Sequence, residues 1–490
     1  MKKKRRKLLT KSNYLLGLQC FKLVHVKLHD KERIPEYDEN ALYRFDTGDE
    51  VEAIAKKCFP DGADIKKDDF LENLRLSYEA LERRVPLFEA GFKVGQLFSR
   101  ADVLVPVEEN SWDLVEIKSA TKVKEVNLHD VSFQKYVYEK FGLNVRNCYL
   151  MHINSEYVRK GEIEPEKFFT LTDITDEVEK VSEGIEDRIE KILEIINDEE
   201  EPDYKIGEHC SNPYECPMRK ECWADLPGGN VLDFYLNLKN QFFRVGEEKV
   251  VKLISIPKFQ AVEKSPFEKH AVAVREGETF EKRVLDEFFS KIKYPLYYLD
   301  INYINPAVPK YDRMKPYKQI PYQISIIKQN DKNSDLEEFA FLSNGNQDSR
   351  LNFLNILKKY LGVSGTIIVY DKTKECRVLR DLAWNFPDNF VFLQDEIIPR
   401  IIDFWELFGN FHFFDIEKEL SHRVNYLISK FDDFEVGESG FDFEARNLEY
   451  ERLISGEDEE DFEERVLRIK ESSLEELREM VRILEALRKI

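Results

Sequence analysis

At 490 residues the chain exceeds one ordinary domain, so about two or three domains are expected. Hydrophobic residues at 42% are enough for real cores, and charged residues at 34% point to a water-facing surface. A net charge of −21 argues against a generally basic nucleic-acid coat but leaves room for a local positive groove.

The start, "MKKKRRKLLTKSNYLLGLQCF", has a basic head that reads as a solvated tail or a phosphate-contacting arm. Its apolar part is broken by Thr10, Lys11, Ser12 and Asn13, which makes a poor secretion signal. No apolar run approaches the ~20 residues of a membrane span. A cytoplasmic protein with reduced thiols is therefore expected. "LTKSNYLLGLQC" reads as a helix capped by Thr10 or Ser12, and Val51, Ile54 and Ala55 are spaced for a second helix. "VPLFEAGFKVGQLFSRADVLVPV" and "WDLVEIKSA" read as consecutive strands, "DVSFQKYVYEKFGL" as a helix and "NCYLMHIN" as a strand. This order suggests an α/β unit. Residues 173–197 carry Val178, Val181, Ile185, Ile189, Ile192 and Ile196 at helical spacing and predict one amphipathic helix.

"ADLPGGN" is the best early break in the chain. A second α/β pattern follows: strands at "YPLYYLDINYI", "PYQISIIKQ", "EEFAFL" and "GTIIVYD", and helices at "RLNFLNILKKYL" and "CRVLRDLAWNF". The acidic run "GEDEEDFEERV" reads as a solvated loop and helix start. A closing helix has Leu474, Leu477, Val481, Leu484 and Leu487 on one face. The boundaries are 1–226, a linking region 227–292, and 293–490.

Chemistry concentrates in "ADVLVPVEENSWDLVEIK". Side chains alternate along a strand, so Glu116 and Lys118 share a face, and Asp102 lies on the preceding strand. Carboxylates so placed can hold a divalent ion, which offsets phosphate charge and acidifies a bound water, and a lysine beside them can stabilise developing charge. The plain alternative is a surface pair on an edge strand. Gln134 and Tyr138 follow four apart, on one face of the next helix.

The seven cysteines are too few for a disulfide scaffold. Cys210, Cys216 and Cys222 form a C-x5-C-x5-C cluster in a Pro-bearing stretch, and Cys20 or His209 can supply a fourth ligand for an iron–sulfur cluster or zinc. Cys58, Cys148 and Cys376 read as core.

"RADVL", "VEIKSAT" and "QKYVY" together resemble the PD-(D/E)XK nuclease core in its RecB-type form. The resemblance implies Asp102 and Glu116 as metal ligands, Lys118 as the catalytic lysine, and Gln134 and Tyr138 as supports. It points to Glu52, with Glu50 competing, as a further acid facing the metal, and leaves Glu89 as another candidate. One cysteine before the core and three after it resembles the layout of RecB-type nucleases with a [4Fe–4S] cluster, which favours Cys20 as the fourth ligand. The spacing is wider than the C-x2-C-x5-C common in the CRISPR-adaptation branch, so zinc stays open.

The second half resembles a DnaQ-like, RNase H-fold exonuclease module, and the whole chain resembles a bacterial family that joins the two. The exonuclease chemistry takes D-x-E on the first strand and two further acids around two ions. Asp300 stands first, Asn302 replaces the glutamate, Asp371 and Asp403 occupy later positions, and Glu476 stands on the last helix. An amide is a weak Mg²⁺ ligand, so this half is expected to be weakened. The expectation is a Mg²⁺- or Mn²⁺-dependent nuclease acting on DNA. The alternatives are a catalytically weak nucleic-acid-binding scaffold and a zinc-stapled protein-interaction module.

Overall fold

The computed structural model describes residues 6–35, 39–65, 69–108, 110–203, 206–224, 278–280, 282–345, 347–407, 413–415, 443–455 and 462–488. Most of the expected linking region, and the charged stretches at 1–5 and 456–461, lie outside the described residues. The chain is mixed α/β and divides into two compact units. One holds the described residues up to 224 together with Ala307–Pro316, and the other holds the remainder from 278 on.

The first unit opens with a short strand β1 (Leu9–Thr10) and two helices, α1 (Lys11–Gln19) and α2 (Phe21–His29). Thr10 is the N-cap of α1, its hydroxyl accepting from the Asn13 N–H at 3.2 Å. Helix α3 (Glu39–Lys56), strand β2 (Ala63–Asp64) and helix α4 (Phe70–Ala80) follow. Strands β3 (Leu87–Val94) and β4 (Leu97–Pro106) then form a hairpin turned at Gly95, whose φ of 58° favours glycine. Next come β5 (Ser111–Lys118), α5 (Glu125–Phe141), β6 (Asn144–Ile153), the short α6 (Pro165–Phe168) and β7 (Phe169–Asp173). The seven-stranded sheet runs β2-β3-β4-β5-β6-β7, with β1 pairing beside β4. β5 is flanked by β4 and β6, so Glu116 and Lys118 are not on an edge strand.

The amphipathic stretch 173–197 is not one helix. α7 (Thr175–Ser182) and α8 (Ile185–Asn197) are separated by Gly184, which adopts φ 70°. That left-handed residue breaks the hydrogen-bond ladder while the apolar spacing continues through it. Ile185, Ile189, Ile192 and Ile196 are buried in the main core with the apolar faces of α1, α5 and the sheet. α1 approaches α8 closely: a Cβ on Gly17 would lie 2.8 Å from the Ile192 side chain.

After the cysteine stretch, which holds α9 (Arg219–Cys222), the second unit is described from β8 (Glu278–Phe280) and α10 (Lys282–Ser290). Then follow β9 (Leu296–Ile304), β10 (Ile320–Gln329), β11 (Leu336–Leu342), α11 (Arg350–Tyr360), β12 (Thr366–Val369), α12 (Lys372–Asn385), β13 (Ile401–Asp403) and β14 (Phe413–Asp415). The unit ends with α13 (Phe443–Ser455) and α14 (Phe462–Leu487). Its main sheet runs β11-β10-β9-β12-β13, antiparallel on the β11 side and parallel beyond β9. β9 is buried along almost its whole length, as its unbroken apolar run requires. One apolar cluster joins the sheet to α10 and α14, and another joins it to α11 and α12. Leu474, Leu477, Val481, Leu484 and Leu487 all face the first of these.

Candidate functional site

The site in the first unit begins where β4 and β5 part. Their ladder runs from Pro106↔Trp112 to Val103↔Val115 and stops there. Beyond it, the Ile117 N–H turns to the side chain of Asp102, donating to Oδ2 at 2.8 Å. Asp102 thus closes the fork with its carboxylate and leaves Oδ1 for other partners. Glu116, next to Ile117 on β5, is fully buried. Gln134 on α5 donates its amide to Glu116 Oε2 at 2.7 Å and to Asp130 Oδ1 at 3.1 Å. Asp130 is therefore a third acid of the site, one helical turn before Gln134.

Two lysines answer these three acids. Lys118 contacts Glu116 and reaches Asp130 Oδ2 at 3.1 Å. Lys11, the first residue of α1, places its ammonium 2.8 Å from Glu116 Oε1, 3.6 Å from Asp130 Oδ1 and 3.8 Å from Asp102 Oδ1. Asp102 Oδ1 and Glu116 Oε1 consequently face one point. Burial works against the Glu116 carboxylate, yet Lys11 and Lys118 outweigh it and hold the carboxyl well below the usual range. Burial, reinforced by Glu116, pushes Asp102 up to about 7 and also raises Asp130. Both lysines are raised despite burial, Lys11 chiefly by Asp130 and Lys118 chiefly by Glu116.

Tyr138 is fully buried, its ring edge-on to Phe92 at 5.5 Å, and burial pushes its phenol up. Glu52 does not join this group in any described contact; it pairs with Lys56 at 3.1 Å on its own helix. Glu89 stands on β3 with φ 57° and pairs with Arg100 at 3.2 Å. Sequence reasoning missed Asp130 and Lys11. The i, i+4 spacing of Asp130 to Gln134 was a usable signal; Lys11 carried none.

The cysteine cluster lies at the other end of α1. Cys20 caps that helix, and Cys20, Cys210 and Cys216 are buried with Leu23, Val26 and Met218, with Cys222 and Trp223 packed against them. The Gln19 amide donates to the carbonyls of His209 (2.8 Å) and Tyr214 (2.7 Å), tying α1 to this segment. Arg33 adds ion pairs to Glu201 and Glu221. His209 Nε2 stands 3.7 Å from Cys210 Sγ, and hydrogen bonds with Cys20 and Cys210 raise its imidazole to about 9. Burial pushes Cys216 up to about 11; at Cys210 burial is outweighed by His209 together with hydrogen bonds from the Gly207 backbone and Trp223, and the thiol is lowered. All seven thiols are free. Cys148 and Cys376 are buried as expected, whereas Cys58 is half-exposed. Among the described residues, no three His, Cys, Asp or Glu side chains stand in an arrangement that holds an ion.

The second unit also gathers acids. Asp300 Oδ2 accepts from the Asn302 amide at 2.6 Å and from the Ser473 hydroxyl at 2.8 Å. Arg446 on α13 lies 3.6 Å from Asp300 and hydrogen-bonds Glu476 at 2.5 Å. Burial pushes Glu476 up to about 7 against the pull of Arg446. Asp371 caps α12, accepting the Thr373 and Lys374 N–H groups at 2.8 and 3.1 Å. Asp403 accepts the Lys372 N–H at 3.3 Å. Glu375, a buried acid that sequence reasoning passed over, is driven strongly toward its neutral form by burial.

Residues 297–422, a span that takes in all but the first residue of β9 and runs past β14, match the model of a family described as Domain of unknown function (DUF2779). No curated protein matches the chain. Among the described residues, no helix is long and apolar enough to cross a membrane.

Proposed function

We propose that the first unit is a metal-dependent nuclease of the PD-(D/E)XK type that hydrolyses phosphodiester bonds of DNA. One observation carries this reading: Asp102 Oδ1 and Glu116 Oε1, from two strands that part at this point, face a single cation position lined by Asp130 and Lys118. Carboxylates that converge on one largely buried point favour a cation there, a position the Lys11 ammonium takes in the metal-free chain. Asp102 and Glu116 would hold Mg²⁺ or Mn²⁺, which when bound supplies charge neutralisation and an acidified water. The remaining work belongs to the chain. The Ile117 N–H fixes the rotation of Asp102, and Gln134 fixes that of Glu116. Lys118, about a quarter exposed at the lip, can meet an incoming phosphate oxygen and stabilise charge that builds on it.

The four thiols of Cys20, Cys210, Cys216 and Cys222 form a donor set suited to a [4Fe–4S] cluster, with zinc as the alternative. All belong to one largely buried apolar cluster, which supports the reading. Bound there, the group would fasten α1 and α2 to the downstream segment. Purified protein should be brown, with broad visible absorption; a colourless, zinc-loaded protein would remove the iron–sulfur assignment.

The second unit we read as a non-catalytic member of the RNase H-like group that positions nucleic acid. Arg446 between Asp300 and Glu476 supports this, because a fixed cation stands among the acids.

The decisive test is Lys118→Ala in Mn²⁺ with single- and double-stranded DNA and RNA substrates. Cleavage should fall at least ~100-fold, with the visible spectrum unchanged. Undiminished cleavage would sink the assignment, and cleavage of RNA alone would move the substrate class.

A further inference from the structure

We infer that Lys11 is a displaceable internal counter-ion of this site, one that must yield the carboxylates before a divalent cation can take them. The inference rests on the metal-dependent reading above. Among the described residues, Lys11 is the one ammonium within ion-pair distance of all three acids, which come from β4, β5 and α5. Lys118 pairs with Glu116 and Asp130 only. An ammonium directed at the outward oxygens of Asp102 and Glu116 stands where a shared divalent ion must stand. Lysine and ion therefore compete for the same oxygens.

The backbone that carries Lys11 is fixed. Leu9 and Thr10 pair with Leu97 and Phe98 of β4, and the Leu9 N–H donates to the Gln96 carbonyl at 2.8 Å. Downstream, Gly17 lies against Ile192, and Gln19 is bonded to the His209 and Tyr214 carbonyls. Helix α1 thus has no slack, but the lysine side chain does. Its four-carbon stem is intrinsically flexible, and 22% of its side chain is already in solvent, against none for Glu116. Glu116 and Asp130 are buried and Asp102 is half-buried beside them, so the group is costly without counter-charge, and Lys11 supplies part of it, with Lys118, in the metal-free state. Once an ion neutralises them, the same ammonium is free to turn outward.

The test is Mn²⁺ binding to the full chain, followed by calorimetry and by the electron paramagnetic resonance signal of free Mn²⁺, with Glu116→Gln as the reference for specific binding. Lys11→Gln removes the competitor. It should bind Mn²⁺ about 10-fold more tightly, as expected when one close opposite charge is withdrawn, and its metal-free melting temperature should drop below that of the wild type. Lys11→Arg keeps the charge, and so the fold, but grips carboxylates through a planar fork; it should bind Mn²⁺ about 3-fold or more weakly. Unchanged or weaker binding in folded Lys11→Gln, or wild-type affinity in Lys11→Arg, overturns the inference while leaving the metal site in place. If the wild type and both Lys11 variants show no binding that Glu116→Gln abolishes, the metal-site reading fails, and the inference falls with it.

Discussion

Each unit buries carboxylates against a cation of its own, and the cations differ. In the first, the cations are two lysines at the lip, Lys11 and Lys118, with 22% and 29% of their side chains exposed. In the second, the cation is Arg446, with 8% exposed. A lysine is a single point charge on a flexible stem and can leave. A buried arginine held by Asp300 and Glu476 cannot leave without exposing both acids to a low-dielectric interior. The same arrangement of acids therefore has opposite meanings. On the reading proposed above, the first is a site that exchanges its lysine for a divalent ion, whereas the second is a closed ion-pair network. The supporting groups agree with this contrast. Asp102, which also accepts the Ile117 N–H, and Glu116 each direct one oxygen at Lys11, whereas Asp371 and Asp403 accept N–H groups at the start of α12.

The largest effect should separate the units by activity. Glu116→Gln keeps the shape and removes the charge, and Mn²⁺-dependent cleavage should fall ~100-fold or more. Asp300→Asn in the second unit should leave cleavage within about 3-fold of the wild type, since it removes no charge that a transition state would use. A nuclease assay on the two purified variants checks this. Loss of cleavage in Asp300→Asn would mean that the second unit cuts.

Arg446→Met should separate them by stability. The change leaves Asp300 and Glu476 buried without a counter-charge, which costs about 3–5 kcal/mol when one partner of a buried pair is removed. Urea unfolding should show the second unit's transition moving to lower denaturant while the first unit's stays. Rescue of that transition by Mg²⁺ would break the contrast, because it would show an ion taking the arginine's place.

Part of this was legible in the sequence, and the reason is local periodicity. Alternation along "LVEIK" puts Glu116 and Lys118 on one face, and the structure places both beside Asp130. The helical spacing of Gln134 and Tyr138 likewise holds on α5. The apolar runs of β9 and β10 announce buried central strands. What stayed hidden depends on distant partners. Lys11 and Glu116 are 105 residues apart, and nothing near either one marks the other. Arg446 meets Asp300 only because α13 returns to the sheet. Gly184 was visible in the sequence, but the isoleucine spacing runs through it and masks the break between α7 and α8. The substitution of Asn302 for an acid was readable, and its consequence was not: the amide donates to Asp300 and to Gln323, fastening the network rather than only subtracting a ligand.

The smallest effect concerns Asp371, and it tests whether a residue that resembles a metal ligand is instead a helix cap. Its Oδ1 takes two N–H groups in the first turn of α12. These are donors that no backbone carbonyl within the helix can reach. Asp371→Ala should then cost the second unit about 1 kcal/mol, measured as a shift of its urea midpoint at constant slope. Asp371→Ser restores a short side-chain acceptor at the N-cap and should recover most of that loss, although serine is a poor ligand for Mg²⁺. A ligand role predicts the reverse: no rescue by serine, and a difference between variants that appears only when Mg²⁺ is added. The serine variant therefore discriminates, because it returns the cap while withholding the charge.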